Sequence, residues 1–263
     1  MSEGDPRAAH IISEHRLWRR RLPALDPDLR PSDQASGYAV QHQLHGILSK
    51  AGLGPVVGHK IGCTTKVMQE FLHISNPCAG GVFESQVYRS PATLRYADWV
   101  RPGVECEMVV RLAADLPARQ APFTRDSVAH AVAAVMAGME IVDDRYVDYK
   151  TLDTPTLIAD DFFDAGCVLG APVTDWRALD LAALIGVTRI NGAEVGRGCG
   201  SDVMGHPFEA LAWLANSLAQ RGRSLRANEF VFTGSVVETK WLNPGDRVVM
   251  TIERLGGVEA VFE

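Results

Sequence analysis

The sequence predicts an α+β fold: a rolled, largely antiparallel β core with helices outside it and a helical N-terminal segment. Three observations carry this. Helical periodicity dominates the first ~50 residues. From Val56 onward, short apolar runs alternate with Gly, Pro, Asn and Asp. Those runs do not alternate regularly with helices, as a doubly wound parallel sheet would require.

Composition sets the outer bounds. The chain has 263 residues, a formal net charge of −6 and 46% hydrophobic residues. It is too apolar and too lightly charged for disorder. The acidic balance argues against a nucleic-acid partner held through phosphates. The length suits one large domain, or a domain with a small extension. No run reaches the ~18 apolar residues of a membrane span. The opening MSEGDPRAAHIISEHRLWRRR lacks an apolar stretch before a small-residue cleavage site, so mature cytoplasmic sequence is expected. Cys63, Cys78, Cys106, Cys167 and Cys199 are odd in number and none has CxxC spacing. Buried thiols in a reducing compartment are expected, not disulfides or a thiolate zinc site.

In chain order, Ile11, Ile12, Leu17 and Trp18 recur at helical spacing. After the turn LPALDPDLRPSD, Ser32 or Asp33 caps a second helix reaching about Lys50, with Gly52 as its stop. The texture change then separates a helical segment, residues 1–54, from a β-rich portion, residues 55–263. Expected strands are Val56–Ile61, Thr93–Arg95, Val104–Leu112, Gly166–Leu169, Val187–Ile190, Glu229–Thr233 and Arg247–Ile252. Val258–Phe262 closes a hairpin after Gly256-Gly257. Two helices interrupt them, Arg125–Ala137 and Pro207–Gln220. The glycine-rich stretch Gly192–Gly200 lacks dinucleotide-fingerprint spacing and predicts a hairpin and loop. His206 and Glu209 fit a helix N-terminus.

The chemistry concentrates in a few places. Read as a strand, Val104–Val110 puts Glu105 and Glu107 on one face and Val104, Cys106 and Met108 on the other. Two like charges on one face imply either a solvated edge or a hard divalent cation with oxygen ligands. Glu140, Asp143 and Asp144 cluster behind the expected 125–137 helix, where one acid could complete a three-carboxylate site. The simpler reading of Asp143 and Asp144 is a charged turn. His59 and Lys60 fall on opposite faces of an apolar strand. A strand lysine seldom buries without a partner, so Lys60 is either in a structural ion pair or holding a substrate carboxylate and moving protons. Asp160-Asp161 and Thr233-Gly234-Ser235 lie in turn-like contexts that suit a pocket lining.

Taken together these segments resemble a known family. Gly58-His59-Lys60-Ile61-Gly62-Cys63-Thr64-Thr65-Lys66-Val67-Met68-Gln69 resembles a "GxKIGxTSxxMQ" segment. Val104–Glu107 resembles a paired-glutamate strand and Glu140–Arg145 a third-ligand segment. Ile158–Asp161, Gly205–Asn216 and Thr233–Ser235 follow in the same order. The family is the 2-keto-4-pentenoate hydratase and 4-oxalocrotonate decarboxylase group of the fumarylacetoacetate hydrolase superfamily, and the likeness runs from about residue 35 to the end.

The resemblance implies a rolled, mixed β core and a homo-oligomer. It also implies one Mg2+ or Mn2+ held by Glu105, Glu107 and Glu140. The substrate would be a small 2-oxo or 2-hydroxydienoate, with Lys60 beside its head and Asp160 and Ser235 lining the site. Hydration in aromatic-compound catabolism is the expected activity. The alternatives are 4-oxalocrotonate-type decarboxylation, acylpyruvate-type C–C hydrolysis and a non-catalytic ligand-binding homologue. The hydrolases use a His–Glu dyad, and no convincing upstream HxxE segment stands here. Two departures matter. Cys78, in Asn76-Pro77-Cys78-Ala79-Gly80, stands where the hydratases carry an Asp. His59 replaces a neutral or aromatic residue and is a second candidate base.

Overall fold

The computed structural model describes residues 4–65, 69–70 and 74–263. The end of the "GxKIGxTSxxMQ" segment, Lys66 to Met68, lies outside the described residues.

The chain begins with two capped helices. In α1 (Pro6–Leu17) the Asp5 side chain accepts from the Arg7 N–H, and proline opens the first turn. In α2 (Gln34–Leu48) Asp33 and Ser36 form a reciprocal capping box. Gly52, at φ 108°, ends the turn that follows. Both ends match the sequence reading. Ala8, Ala9, Ile12, Leu44 and Leu48 join the same apolar core as the strands.

Two sheets follow. The larger runs β2 (Cys78–Phe83), β1 (Val56–Gly62), β10 (Phe230–Trp241), β5 (Pro102–Leu112), β6 (Val132–Asp143), β7 (Asp164–Leu169) and β3 (Val87–Arg89), in spatial order. Within this sheet, among the described residues, β1·β10 and β3·β7 pair in parallel. The smaller runs β4 (Ala92–Leu94), β12 (Gly256–Phe262), β11 (Arg247–Ile252), β8 (Ile185–Ile190) and β9 (Ala193–Cys199). Asn191 and Gly192, both at positive φ, make the tight β8–β9 turn, so the glycine-rich stretch is the expected hairpin. Further helices among the described residues include α3 (Arg125–Ala129), α4 (Thr154–Ala159) and α5 (Pro207–Gln220). His206 caps α5, its Nδ1 accepting from the Phe208 N–H. No helix among the described residues is long and apolar enough to cross a membrane.

One expectation fails. The helix expected over 125–137 is only α3, and β6 takes over from Val132. The run Val-Ala-Ala-Val-Met-Ala-Gly-Met is apolar at every position, so its periodicity cannot separate helix from buried strand. Tertiary packing decides. β6 pairs along its length with β5, and its other edge pairs with β7. Gly138 lies flat beneath neighbours: a Cβ there would stand 2.3 Å from Val109 and 2.8 Å from Phe232.

The larger sheet has two unlike faces. Cys106, Met108 and Val110 point into the main core. Val109, Met136, Phe230 and Phe232 form a second, smaller cluster on the other face. Strand register puts Lys60, Glu105, Glu107 and Glu140 on that second face. β1 and β6 are separated by β10 and β5, about 14 Å along a flat sheet. Yet Lys60 Nζ lies 2.8 Å from Glu140 Oε1. The sheet is therefore curled into a roll with this face inside, and β2 comes into contact with β7.

Asp160 to Asp164 leads into β7 and fills the gap where β2 approaches it. Asp161, Phe162 and Phe163 sit at φ 55°, 50° and 70°. Left-handed backbone costs about 1–3 kcal/mol per residue without glycine. Buried charge pairs hold the run in place. Asp161 accepts from Arg16 Nη1 at 2.7 Å, the Gly81 N–H at 2.9 Å and His45 Nε2 at 2.6 Å. Asp160 accepts from Arg145 Nε at 2.7 Å and the Tyr146 hydroxyl at 2.8 Å.

A Cβ on Gly80 of β2 would meet the Asp161 carbonyl at 2.6 Å, backbone against backbone. Gly80→Ala is therefore expected to destabilise the protein by about 1–3 kcal/mol, as overpacking does. Urea unfolding measures this, and an unchanged midpoint would contradict so tight a seam.

Candidate active site

Glu105 and Glu107 come from alternate positions of β5, and Glu140 from the facing position of β6. Each offers an oxygen, and these oxygens lie within 4.8 Å of one another. Two metal–oxygen bonds placed across an ion span about 4–5 Å. Glu107 and Glu140 are buried and Glu105 is partly exposed. Glu107 Oε2 accepts from the Gly234 N–H at 2.7 Å, and Glu105 Oε1 accepts from the Thr239 hydroxyl. Glu107 Oε1 and Glu140 Oε2 are buried with no hydrogen-bond partner. Gly234, at φ 121°, is needed there, because a Cβ would stand 2.4 Å from Thr64 Oγ1.

Among the described residues, the three glutamates of the cluster have one cation in contact, Lys60. Burial pushes the Glu105 carboxyl up to about 7, and Glu140 adds to that push. Burial, with Glu140 and Glu105, pushes Glu107 well above the usual range. Burial alone would lower the Lys60 ammonium, but Glu140 and Glu105 outweigh it and hold Lys60 charged. Asp164 is fully buried, has no hydrogen-bond partner for either oxygen, and is pushed up by burial and by Glu140. Unpaired buried carboxylates are costly unless a cation joins them. An all-oxygen, acid-rich donor set with unsatisfied oxygens fits a hard divalent ion. The residues present therefore fit such an ion, with Glu105, Glu107 and Glu140 as the group that could hold it.

The other sequence-derived residues fall unevenly. Lys60 is at the cluster. His59 is not: strand alternation turns its ring to the opposite face, where Nε2 lies 3.7 Å from Glu229 Oε2. The ring points away from the carboxylate cluster. Asp160 faces Arg145, Tyr146 and Arg16, and its carboxylate serves the seam. Ser235 pairs in register with Glu107, and its hydroxyl donates to the Val237 carbonyl. Cys78 pairs with Gly62 and is fully buried. A hydrogen bond with Cys63, then burial, raises its thiol, so it stays protonated. Asp143 accepts from the Val100 and Arg101 N–H groups, and Asp144 pairs with Arg101. Both are the structural turn acids expected of them singly. Thr239, Phe162 and Asp164 were not legible beforehand, and the bulges that aim Thr239 at Glu105 leave no trace in the alternation.

Two outcomes follow. Glu105→Gln and Glu107→Gln should each weaken Mn2+ binding by more than about tenfold, since even outer-shell losses reach that size. Titration calorimetry measures it, and unchanged binding would contradict the cluster as a metal site. Glu105 has a folded pKa above its unfolded value, so it favours the folded protein below pH 4.5 and loses that contribution as pH rises through about 7. A bound divalent ion opposes this loss. The gain in Tm from added Mg2+ or Mn2+ should therefore grow between pH 5.5 and pH 8, with protons released on binding. A pH-independent gain would contradict the burial of these acids.

Comparison with known proteins places the chain. Residues 70–263 match the family described as fumarylacetoacetate (FAA) hydrolase C-terminal. The 2-hydroxyhexa-2,4-dienoate hydratase of Comamonas testosteroni is 38% identical over 210 residues, 79% of this chain and 78% of that protein. The 2-keto-4-pentenoate hydratase of Burkholderia vietnamiensis (strain G4 / LMG 22486) is 32% identical over 253 residues, 95% of this chain and 94% of that protein. Among solved structures, 4-oxalocrotonate decarboxylase from Pseudomonas putida G7, complexed with magnesium and adipate, superposes with a TM-score of 0.91 at 26% identity. That match covers 98% of this chain and 97% of the other. With this match over residues 70–263 and these relatives across most of its length, the chain belongs to the fumarylacetoacetate hydrolase family.

Proposed function

We propose that this protein is a divalent-metal-dependent hydratase, a hydro-lyase acting on 2-hydroxy-2,4-dienoates in aromatic-compound catabolism. The observation that carries the reading is the cluster of Glu105, Glu107 and Glu140 with Lys60 Nζ 2.8 Å from Glu140. The hydratase names of its relatives support the reaction type.

Glu105, Glu107 and Glu140 would hold Mg2+ or Mn2+. When bound, the ion supplies Lewis-acid stabilisation of enolate charge and a template for the 2-oxo acid head. Lys60, kept charged by its acidic neighbours, pairs with the substrate's C1 carboxylate and bears the proton nearest the reacting carbons. Ser235, in register with Glu107, lends its hydroxyl or backbone to the substrate. Proton movement from the enol to the far carbon yields an α,β-unsaturated ketone, electron-poor where water adds. The hydrophobic inner cluster excludes bulk water from the enol. Asp160 and His59 take no part, because both face other partners.

Decarboxylation of a 4-oxalocrotonate-type acid is the second reading. It draws on the close superposition with the decarboxylase and on the protonated thiol of Cys78 in place of a carboxylate.

Freshly generated 2-hydroxypenta-2,4-dienoate with Mg2+ or Mn2+ tests the proposal, with EDTA as control. Metal-dependent loss of dienol absorbance with the mass of one added water is expected. Lys60→Met should lower kcat/KM by about 10²-fold or more. Loss of the dienol without added water would reduce the activity to ketonisation. Carbon dioxide release from the dicarboxylic acid, without hydration, would replace hydratase by decarboxylase.

A further inference from the structure

Asp164 opens β7 and pairs in register with Val142 of β6. Its neighbour Ala165 packs into the main core, whereas Cys167 belongs to the second cluster. Alternation therefore turns the Asp164 side chain to the inside of the roll, the face that carries Glu140. The pairing of β6 with β7 shifts here by one residue, and Gly166 sits at φ 130°. A Cβ on Gly166 would stand 2.7 Å from the Gln86 carbonyl oxygen, so the bulge needs glycine. Glu140 lies two residues from Val142 and is the diagonal neighbour of Asp164 on the inner face. Burial, then Glu140, raises the Asp164 carboxyl, and Lys60 draws it back down, so the three groups share one field.

The backbone of Asp164 is held and its side chain is not. Arg145 Nη1 and Arg16 Nη2 donate to its carbonyl oxygen at 2.9 and 3.4 Å. Both carboxyl oxygens are buried and have no hydrogen-bond partner among the described residues. The neighbouring cations are engaged: Arg16 with Asp161, Arg145 with Asp160 and Lys60 with Glu140. A buried acid left in this way costs stability. A cost of that kind, facing a cluster of acids with perturbed ionisation, is a mark of function.

We propose that Asp164 is a catalytic residue that exchanges a proton with C3 of the bound 2-oxo acid. With the C1 carboxylate on Lys60, C2 and C3 are the next atoms of the substrate, and the placement asks nothing of its tail. In one direction the C3–H bond breaks and its electron pair forms the C2=C3 bond. The carbonyl pair moves onto the C2 oxygen, and the proton goes to the Asp164 carboxylate. In hydration the reverse transfer delivers a proton to C3 as water bonds to C4, and the proton that this water loses restores Asp164. The inference rests on the reading of this site as a 2-oxo acid centre.

2-Oxopentanoate is saturated and cannot be hydrated, so it isolates the proton step. The Mg2+-loaded protein in D2O should place deuterium at C3, read by mass, and EDTA should stop it. Asp164→Asn should slow this exchange by about 10²-fold or more while leaving the Kd for 2-oxopentanoate, from titration calorimetry, within about threefold. Its Tm without metal should equal or exceed that of the wild type, because an unpaired buried acid has been removed. Asp164→Glu keeps a carboxyl and should retain more exchange than Asp164→Asn. A merely structural acid would give a lower Tm with exchange and binding lost together. That pattern, undiminished exchange in Asp164→Asn, or a wild type that exchanges no C3 proton would overturn the inference. Undiminished exchange in Asp164→Asn with a wild type that hydrates the dienoate would overturn the inference alone. Exchange lost in Asp164→Asn, with a wild type that hydrates no dienoate, would support it while refuting the hydratase reading.

Discussion

The ion pair between Lys60 and Glu140 is the constraint on which the rest depends. Its partners belong to strands separated by two others, so a separation of 2.8 Å requires a curled sheet. Curling creates an inside, and the inside is where Glu105 and Glu107 also point. One lysine cannot balance three carboxylates. The imbalance makes the roll an expensive place to leave dry and a favourable one for a small, hard cation. The same geometry that destabilises the acids thus suits them to a divalent ion.

A second constraint supports the first. The roll must close where β2 approaches β7, and the closure is made by a backbone run in an unfavourable conformation. Arg16 from the first helix, His45 from the second and Arg145 after β6 all bind acids of that run. The N-terminal helices therefore act on the site at one remove, through charge pairs buried in the seam. This explains why Asp160, although adjacent in sequence to site-facing residues, is a structural group. It also explains why the strain persists: several buried partners over-determine the conformation.

Much of this was legible in the sequence, and the misses have physical causes. Caps and glycines are local signals, so Asp33, Gly52 and the Asn191-Gly192 turn appeared where expected. Alternation along a strand is also local. It put Glu105 and Glu107 on one face and separated His59 from Lys60. The β6 strand was missed because an unbroken apolar run carries no period. Phe162 and Thr239 were missed because positive φ at a phenylalanine and bulges in β10 are imposed by tertiary contacts. The expectation that Glu140 joins the carboxylate cluster came from the family resemblance, and its place opposite Glu105 required the strand pairing.

The carboxylates inside the roll are arranged as a divalent ion would need them. Crystals grown with Mn2+ and measured for anomalous scattering would locate such an ion. One strong inner peak is expected, about 2.0–2.3 Å from an oxygen of each of Glu105, Glu107 and Glu140. An empty roll at saturating Mn2+, or a peak bound elsewhere with Lys60 and Glu140 still paired alone, would contradict it.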